Sequence, residues 1–153
     1  MATAHLIYGR VGAGKTTYGR QLATQRGALF FCLDEWMANL YMMDAPVPIT
    51  LEWALPRTER AEVQISAIVQ QALALEIDVV LELGFFRRAQ RDRARTAITG
   101  GAIAVHVVEA PIEVRRERVR ARNRGSATFT VEVDDAMFDW AEQYFEDIAD
   151  DER

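Results

Sequence analysis

Lysine is nearly missing from this chain of 153 residues: Lys15 is the only one, and the other basic side chains are arginines and two histidines. A bias towards arginine accounts for the rest and leaves Lys15 as a single chemical handle. Cysteine is as scarce. Cys32 has no second thiol to pair with, so an internal disulfide is excluded, and its apolar surroundings in sequence read as a buried core thiol rather than a reactive one. The two histidines, His5 and His106, lie in expected strands with no cysteine or acidic residue at metal-ligand spacing, and both read as structural. No apolar run reaches the eighteen or so residues of a membrane span, and Met1-Ala2-Thr3-Ala4 carries neither a basic nor a cleavable apolar leader. A soluble, cytoplasmic protein without membrane partners is the expectation. Positive charge is also in deficit: a net charge of −5 argues against a general nucleic-acid binder. No repeat, low-complexity segment or linker interrupts the chain. With 50% hydrophobic residues it is expected to form one monomeric domain over residues 1–153.

What is present is a glycine motif. Gly9-Arg10-Val11-Gly12-Ala13-Gly14-Lys15-Thr16 fits G-x-x-x-x-G-K-[ST] at every fixed position. Its context agrees, because the apolar His5-Leu6-Ile7-Tyr8 suits a buried strand before it. Tyr18, Leu22 and Ala23 recur at helical spacing from Lys15 to Gln25 behind it. The glycines let backbone N–H groups ring a phosphate, and the helix that opens at Lys15 aims its positive end at the same point. Lys15 is expected on the β- and γ-phosphates, the Thr16 hydroxyl on Mg²⁺ and Thr17 near the α-phosphate.

The rest of the chain alternates. Gly19 inside the first helix suggests close packing on the sheet, and Arg26-Gly27 reads as a stop. A second strand follows over Ala28 to Leu33 and ends at Asp34-Glu35, then a short apolar helix over Trp36 to Met43 and a loop holding Pro46 and Pro48. A long helix is expected to begin at Pro56, followed by a strand over Asp78 to Leu83, a basic helix from Arg87 to Thr99, a strand over Ile103 to Glu109 and an arginine-rich helix over Ile112 to Asn123. Ser126 to Val133 reads as either a short fifth strand or an ordered loop. Asp134 is placed to cap a last helix whose stripe of Met137, Trp140, Ala141, Tyr144 and Ile148 is expected in the core. Two arginine blocks in the middle and an acidic tail from Glu132 to Glu152 suggest phosphate handling and a solvated acidic helix. Strands alternating with helices give an α/β layered fold with a parallel sheet, whose ligands bind outside the carboxyl ends of the strands.

The loop, Asp34, Glu82 and the arginines after the fourth strand together resemble the small P-loop kinases, a group that includes shikimate and gluconate kinases, polynucleotide kinase, chloramphenicol phosphotransferase and zeta toxins. Many unassigned members are labelled AAA-family ATPases. The resemblance implies a three-layer α/β/α fold with four or five parallel strands in the order 2-3-1-4(-5), ATP and Mg²⁺ as cofactors, and a lid at about residues 112–130. It places Asp34 where these kinases carry the carboxylate that accepts the acceptor's proton, with a contact to Mg²⁺ as its other functional role. A helix N-cap is the simpler role for Asp34, and Glu35 competes for the pocket side. Glu82 matches the Walker-B acid, for a contact with Mg²⁺, its water or the acceptor. Arg118 and Arg122, four apart on one helix face, match lid arginines near adenine and the phosphates. Arg115, Arg116, Arg120 and Arg124 read as solvated or paired with the acidic tail. Trp36, Tyr41, Phe85 and Phe86 are expected either as walls of an acceptor pocket or as core, with Arg57, Arg60 or Arg87 for an anionic group.

The resulting expectation is γ-phosphoryl transfer from ATP to a hydroxyl of a small molecule. A nucleotide-dependent switch ATPase, a toxin-like kinase of a sugar nucleotide and a binding-only protein are the alternatives. Intact Lys15 and Thr16 weigh against the last.

Overall fold

Alternation along the first strand sorts the apolar residues onto two faces. A computed structural model of the chain describes residues 1–125 and 132–153. In it β1 (Thr3–Tyr8) sends Ala4, Leu6 and Tyr8 to one side and Ile7 to the other. The first set packs with Ala61, Ile65, Val69, Ala72 and Leu73 of α3 (Leu51–Ala74), and Ile7 packs with Leu22 and Ala23 of α1 (Lys15–Arg26). Two helical layers therefore enclose one sheet.

Among the described residues the sheet is four-stranded and parallel, in the order β2-β3-β1-β4, where β2 is Leu29–Cys32, β3 Val79–Glu82 and β4 Ala102–Val107. This is the α/β architecture and strand order expected. Parallel neighbours need crossovers, and helices supply them: α1, then α2 (Leu33–Leu40) with α3, then α4 (Arg88–Ala97). Beyond β4 follow α5 (Ile112–Arg124) and α6 (Asp135–Tyr144), with short 3₁₀ turns at Met42–Asp44 and Asp150–Glu152. Gly19 is buried as expected, since a Cβ there would lie 2.7 Å from Cε2 of Phe30.

Three local expectations are corrected. The long helix begins at Leu51, not Pro56, because Thr50 caps it by accepting a hydrogen bond from the Trp53 N–H at 3.3 Å. Pro56 lies inside and removes one helical hydrogen bond. The helix after β2 starts at Leu33 without an intervening loop, so Asp34 sits in its first turn, while Cys32 holds the cap position. The last helix is rotated from the expected stripe: Phe138, Ala141 and the following Phe145 are buried, and Met137 and Trp140 are exposed. The helix ends at Tyr144, ahead of Ile148, and Trp140 stacks on Tyr144 at 4.7 Å. Asp134 does cap it, accepting from the Met137 N–H at 2.8 Å. Residues 126–131, on which most of the fifth-strand reading and part of the lid fell, lie outside those described.

The acidic tail is not simply solvated. Arg91, on α4, is fully buried against Glu152, with Nε 2.6 Å from one carboxylate oxygen and Nη2 3.2 Å from the other. Its remaining donors reach the Phe85 and Glu146 carbonyls at 3.0 and 3.2 Å. Arg88 pairs with Asp151 and Arg87 with Glu146.

Candidate nucleotide site

The glycine loop leaves the end of β1 and closes on α1, whose N-terminal N–H groups point into it. Gly12 and Gly14 hold φ of 79° and 98°, values that side chains other than glycine rarely adopt. A Cβ on Gly12 would also lie 2.5 Å from the Arg115 carbonyl oxygen, so α5 presses on the outside of the loop. Lys15 is buried, and its Nζ donates to the Gly9 carbonyl at 2.7 Å, with the Phe86 ring 5.8 Å away.

The next residue makes the decisive contact. The Thr16 hydroxyl donates to Oε2 of Glu82 at 3.0 Å, across 66 residues of sequence. Register explains how Glu82 is held: it stands beside Cys32 on the neighbouring strand, and the Cys32 thiol donates to the same oxygen at 3.1 Å. Burial raises the Glu82 pKa above the usual carboxylate range; Lys15 opposes that shift and nearby Asp34 adds to it. Burial likewise pushes the Cys32 thiol well up, with the Glu82 charge adding to it, so this thiol is a core donor and not a nucleophile. Asp34 is exposed at the start of α2 and, among the described residues, makes no ion pair or side-chain hydrogen bond. Glu35 is paired with Arg20 of α1.

The remaining expected residues divide. Arg118 reaches the loop, donating to the Ala13 and Gly12 carbonyls at 3.1 and 3.4 Å. Arg122 makes no hydrogen bond to the loop, and its buried Nε has no partner among the described residues. Thr17 is exposed on the first turn of α1. Arg10, expected in the phosphate cradle, turns its side chain outward to Glu142 and Asp147 and lies 4.6 Å over the Phe145 ring.

Residues 5–148 match the model of the family described as an AAA domain, AAA_33. The chain belongs to this family. It is similar in structure to a gluconokinase from Sinorhizobium meliloti 1021, at 22% identity and a TM-score of 0.60, over 95% of this chain and 75% of that one. A sugar kinase from Janibacter sp. HTCC2649 matches with 16% identity and a TM-score of 0.66, over 99% of this chain and 82% of the other. A chain of the Pnkp1/Rnl/Hen1 RNA repair complex matches with 17% identity and a TM-score of 0.64, over 95% of this chain and 46% of that one. No curated protein sequence matches. These likenesses establish a P-loop kinase fold, and the family's phosphate loop implies nucleotide binding. Among the described residues, no helix is long and apolar enough to cross a membrane.

Several residues expected to wall an acceptor pocket are otherwise engaged in this AAA_33 chain. Phe85 is buried and meets Tyr8 edge-on at 5.0 Å, so it is core. Trp36 packs towards Phe31 at 6.5 Å. Arg57 donates to the Trp53 carbonyl at 2.8 Å and lies over that indole, and Arg87 is held by Glu146 and the Tyr144 carbonyl. Arg60 is exposed. Arg115 takes the tail-paired role expected for it, buried on Glu142, and it also donates to the Val11 carbonyl of the loop at 3.3 Å, a contact sequence reasoning missed. Glu142 had no local signal, and only the opposite signs of the arginine helix and the tail hinted at it.

Proposed function

We propose that the chain transfers the γ-phosphoryl group of ATP to a hydroxyl of a small molecule, with Mg²⁺ as the metal. The observation that carries this is the Thr16–Glu82 hydrogen bond beside Lys15, which joins the phosphate loop to a buried carboxylate at the carboxyl end of the sheet. The kinase likenesses in fold support the same reading.

In this reading the backbone N–H groups of Gly12 to Thr16 cradle the β-phosphate, and Lys15 leaves the Gly9 carbonyl for the β- and γ-phosphates. Thr16, Glu82 and Asp34 supply hydroxyl and carboxylate oxygens, a donor set suited to a hard cation. The metal, when bound, offsets charge on the transferring group. Asp34, exposed and with no ion pair among the described residues, takes the proton of the acceptor hydroxyl as that oxygen bonds to the γ-phosphorus and the bond to the β,γ-bridging oxygen breaks, releasing ADP. Arg118 exchanges its loop carbonyls for phosphate oxygens, and Arg122 closes over the same group.

The test is an acceptor screen. With saturating ATP and Mg²⁺, a panel of sugars, nucleosides, antibiotics and cofactor precursors is expected to yield acceptor-dependent ADP. Asp34→Asn should lose about 10²- to 10⁴-fold in kcat. Lys15→Ala should abolish ATP binding with an unchanged circular dichroism spectrum. Turnover that no acceptor raises above the Asp34→Asn level would overturn the proposal.

A further inference from the structure

The side chain of Glu142 belongs to α6, yet everything it holds lies in or against the phosphate loop. One oxygen is bound by Arg115 Nη1; the other accepts from Arg115 Nη2 at 3.2 Å and from Arg10 Nη1 at 3.2 Å. Its backbone carbonyl takes a second hydrogen bond from Arg10 Nη1 at 3.2 Å. Arg115, 5% exposed in its side chain, continues inward: Nη1 donates to the Val11 carbonyl and Nε to the Ala110 carbonyl at 2.9 Å. One carboxylate thus ties the second residue of the loop to the base of α5. Three residues along α5 is Arg118, which already touches the loop carbonyls.

We propose that Glu142 is a positioning residue for the nucleotide site. It fixes the loop and the arginine helix to one another, so that the cradle and Arg118 hold a single relative geometry. A partly buried carboxylate held bidentately by Arg115 and by one further bond from Arg10 suits this, because a bidentate pair gains direction as well as energy. The carboxylate also offsets two positive charges next to a loop whose own N–H groups are electropositive. Without it Arg10 and Arg115 repel one another, and the crest of the loop loses its outer support.

The lone lysine makes this testable without turnover. After reductive ¹³C-methylation, Lys15 and the amino terminus give the labelled signals, and the shift of Lys15 reports its seat on the Gly9 carbonyl in nucleotide-free protein. Glu142→Gln, nearly equal in shape but uncharged, is expected to move the Lys15 signal and weaken ATP binding about tenfold, or about 1.4 kcal/mol. Asp139→Asn removes the same charge from the same helix, where its partner is the surface residue Arg116 at 2.9 Å; it should change neither. Glu142→Asp should restore part of both. If Glu142→Gln does not fold, Arg10→Gln, which leaves the Arg115 pair intact, should move the Lys15 signal on its own. An unmoved Lys15 signal in a folded Glu142→Gln or Arg10→Gln protein overturns the inference, as does an equal effect in Asp139→Asn. The affinity arm rests on the nucleotide reading above; if unaltered protein binds no ATP, that reading fails while the Lys15 signal still decides this one.

Discussion

Tyr8 ends the central strand immediately before the phosphate loop, fully buried, and its hydroxyl has no hydrogen-bond partner among the described residues. Burial moves its pKa up to about 12, so the group stays neutral and its unmet hydrogen bonds are a cost. An unpaired buried polar group typically costs about 1–3 kcal/mol. Tyr8→Phe keeps the ring contact with Phe85 and removes that cost. It is expected to raise stability by about 1 kcal/mol, or roughly 2–4 °C in Tm for a chain this size, as read by thermal unfolding. A clear loss of stability would show that the hydroxyl is bound in solution. The same bookkeeping explains Glu82, a buried carboxylate tolerated because Thr16 and Cys32 both donate to it.

Elements show where sequence reasoning held and where it stopped. The strand, loop and helix around Gly9 to Thr16 were legible because each is specified by neighbours a few residues away: apolar alternation, glycines at strained φ, and Arg26-Gly27 as a stop. The placement of Asp34 and Glu82 at strand ends was legible too, because parallel topology carries those ends to one edge. The start of α3 was misplaced because Pro56 is a loud signal and the Thr50 cap a quiet one. The orientation of α6 was misread because Phe145 lies past the helix end and is gripped by Arg10 and Arg91 from far earlier in the chain. No local pattern encodes that. The most deeply buried ion pair of this kind among the described residues is Arg91 on Glu152. Removing one partner of a buried pair usually costs about 3–5 kcal/mol, so Arg91→Leu and Glu152→Gln should each lower the urea midpoint sharply. The double variant should recover part of the loss. Equal losses in the singles with full additivity in the double would contradict the pairing.

Across the whole molecule, a relay of polar side chains crosses the α1 face of the sheet. Tyr18 of α1 meets His106 of β4 at 2.8 Å, His106 meets His5 of β1 at 2.9 Å, and Asp78 lies 3.8 Å beyond. The two imidazoles share one hydrogen bond, so protonating both would set donors face to face. Burial lowers both pKa values below 6.5, and each ring's neighbours add or subtract from that: Asp78 raises His5, while Arg26 lowers both. A depressed histidine means that the unfolded chain binds more protons as pH falls through 6.5. Stability from this pair is therefore full above that pH and drains away below it. The urea midpoint should fall between pH 7.5 and 5.5, and His106→Gln should flatten that slope. A midpoint independent of pH over this interval in the unaltered protein would refute the assignment.

The contact between Arg10 and Glu142 spans 132 residues, and Arg91 waits 61 residues for Glu152. During synthesis from the amino terminus, the phosphate loop emerges early, with its own helix and strand already able to form. Its outer brace does not exist until α6 has been made. The nucleotide site is thus begun first and finished last, and an incomplete nascent chain carries the loop without the carboxylate that steadies it.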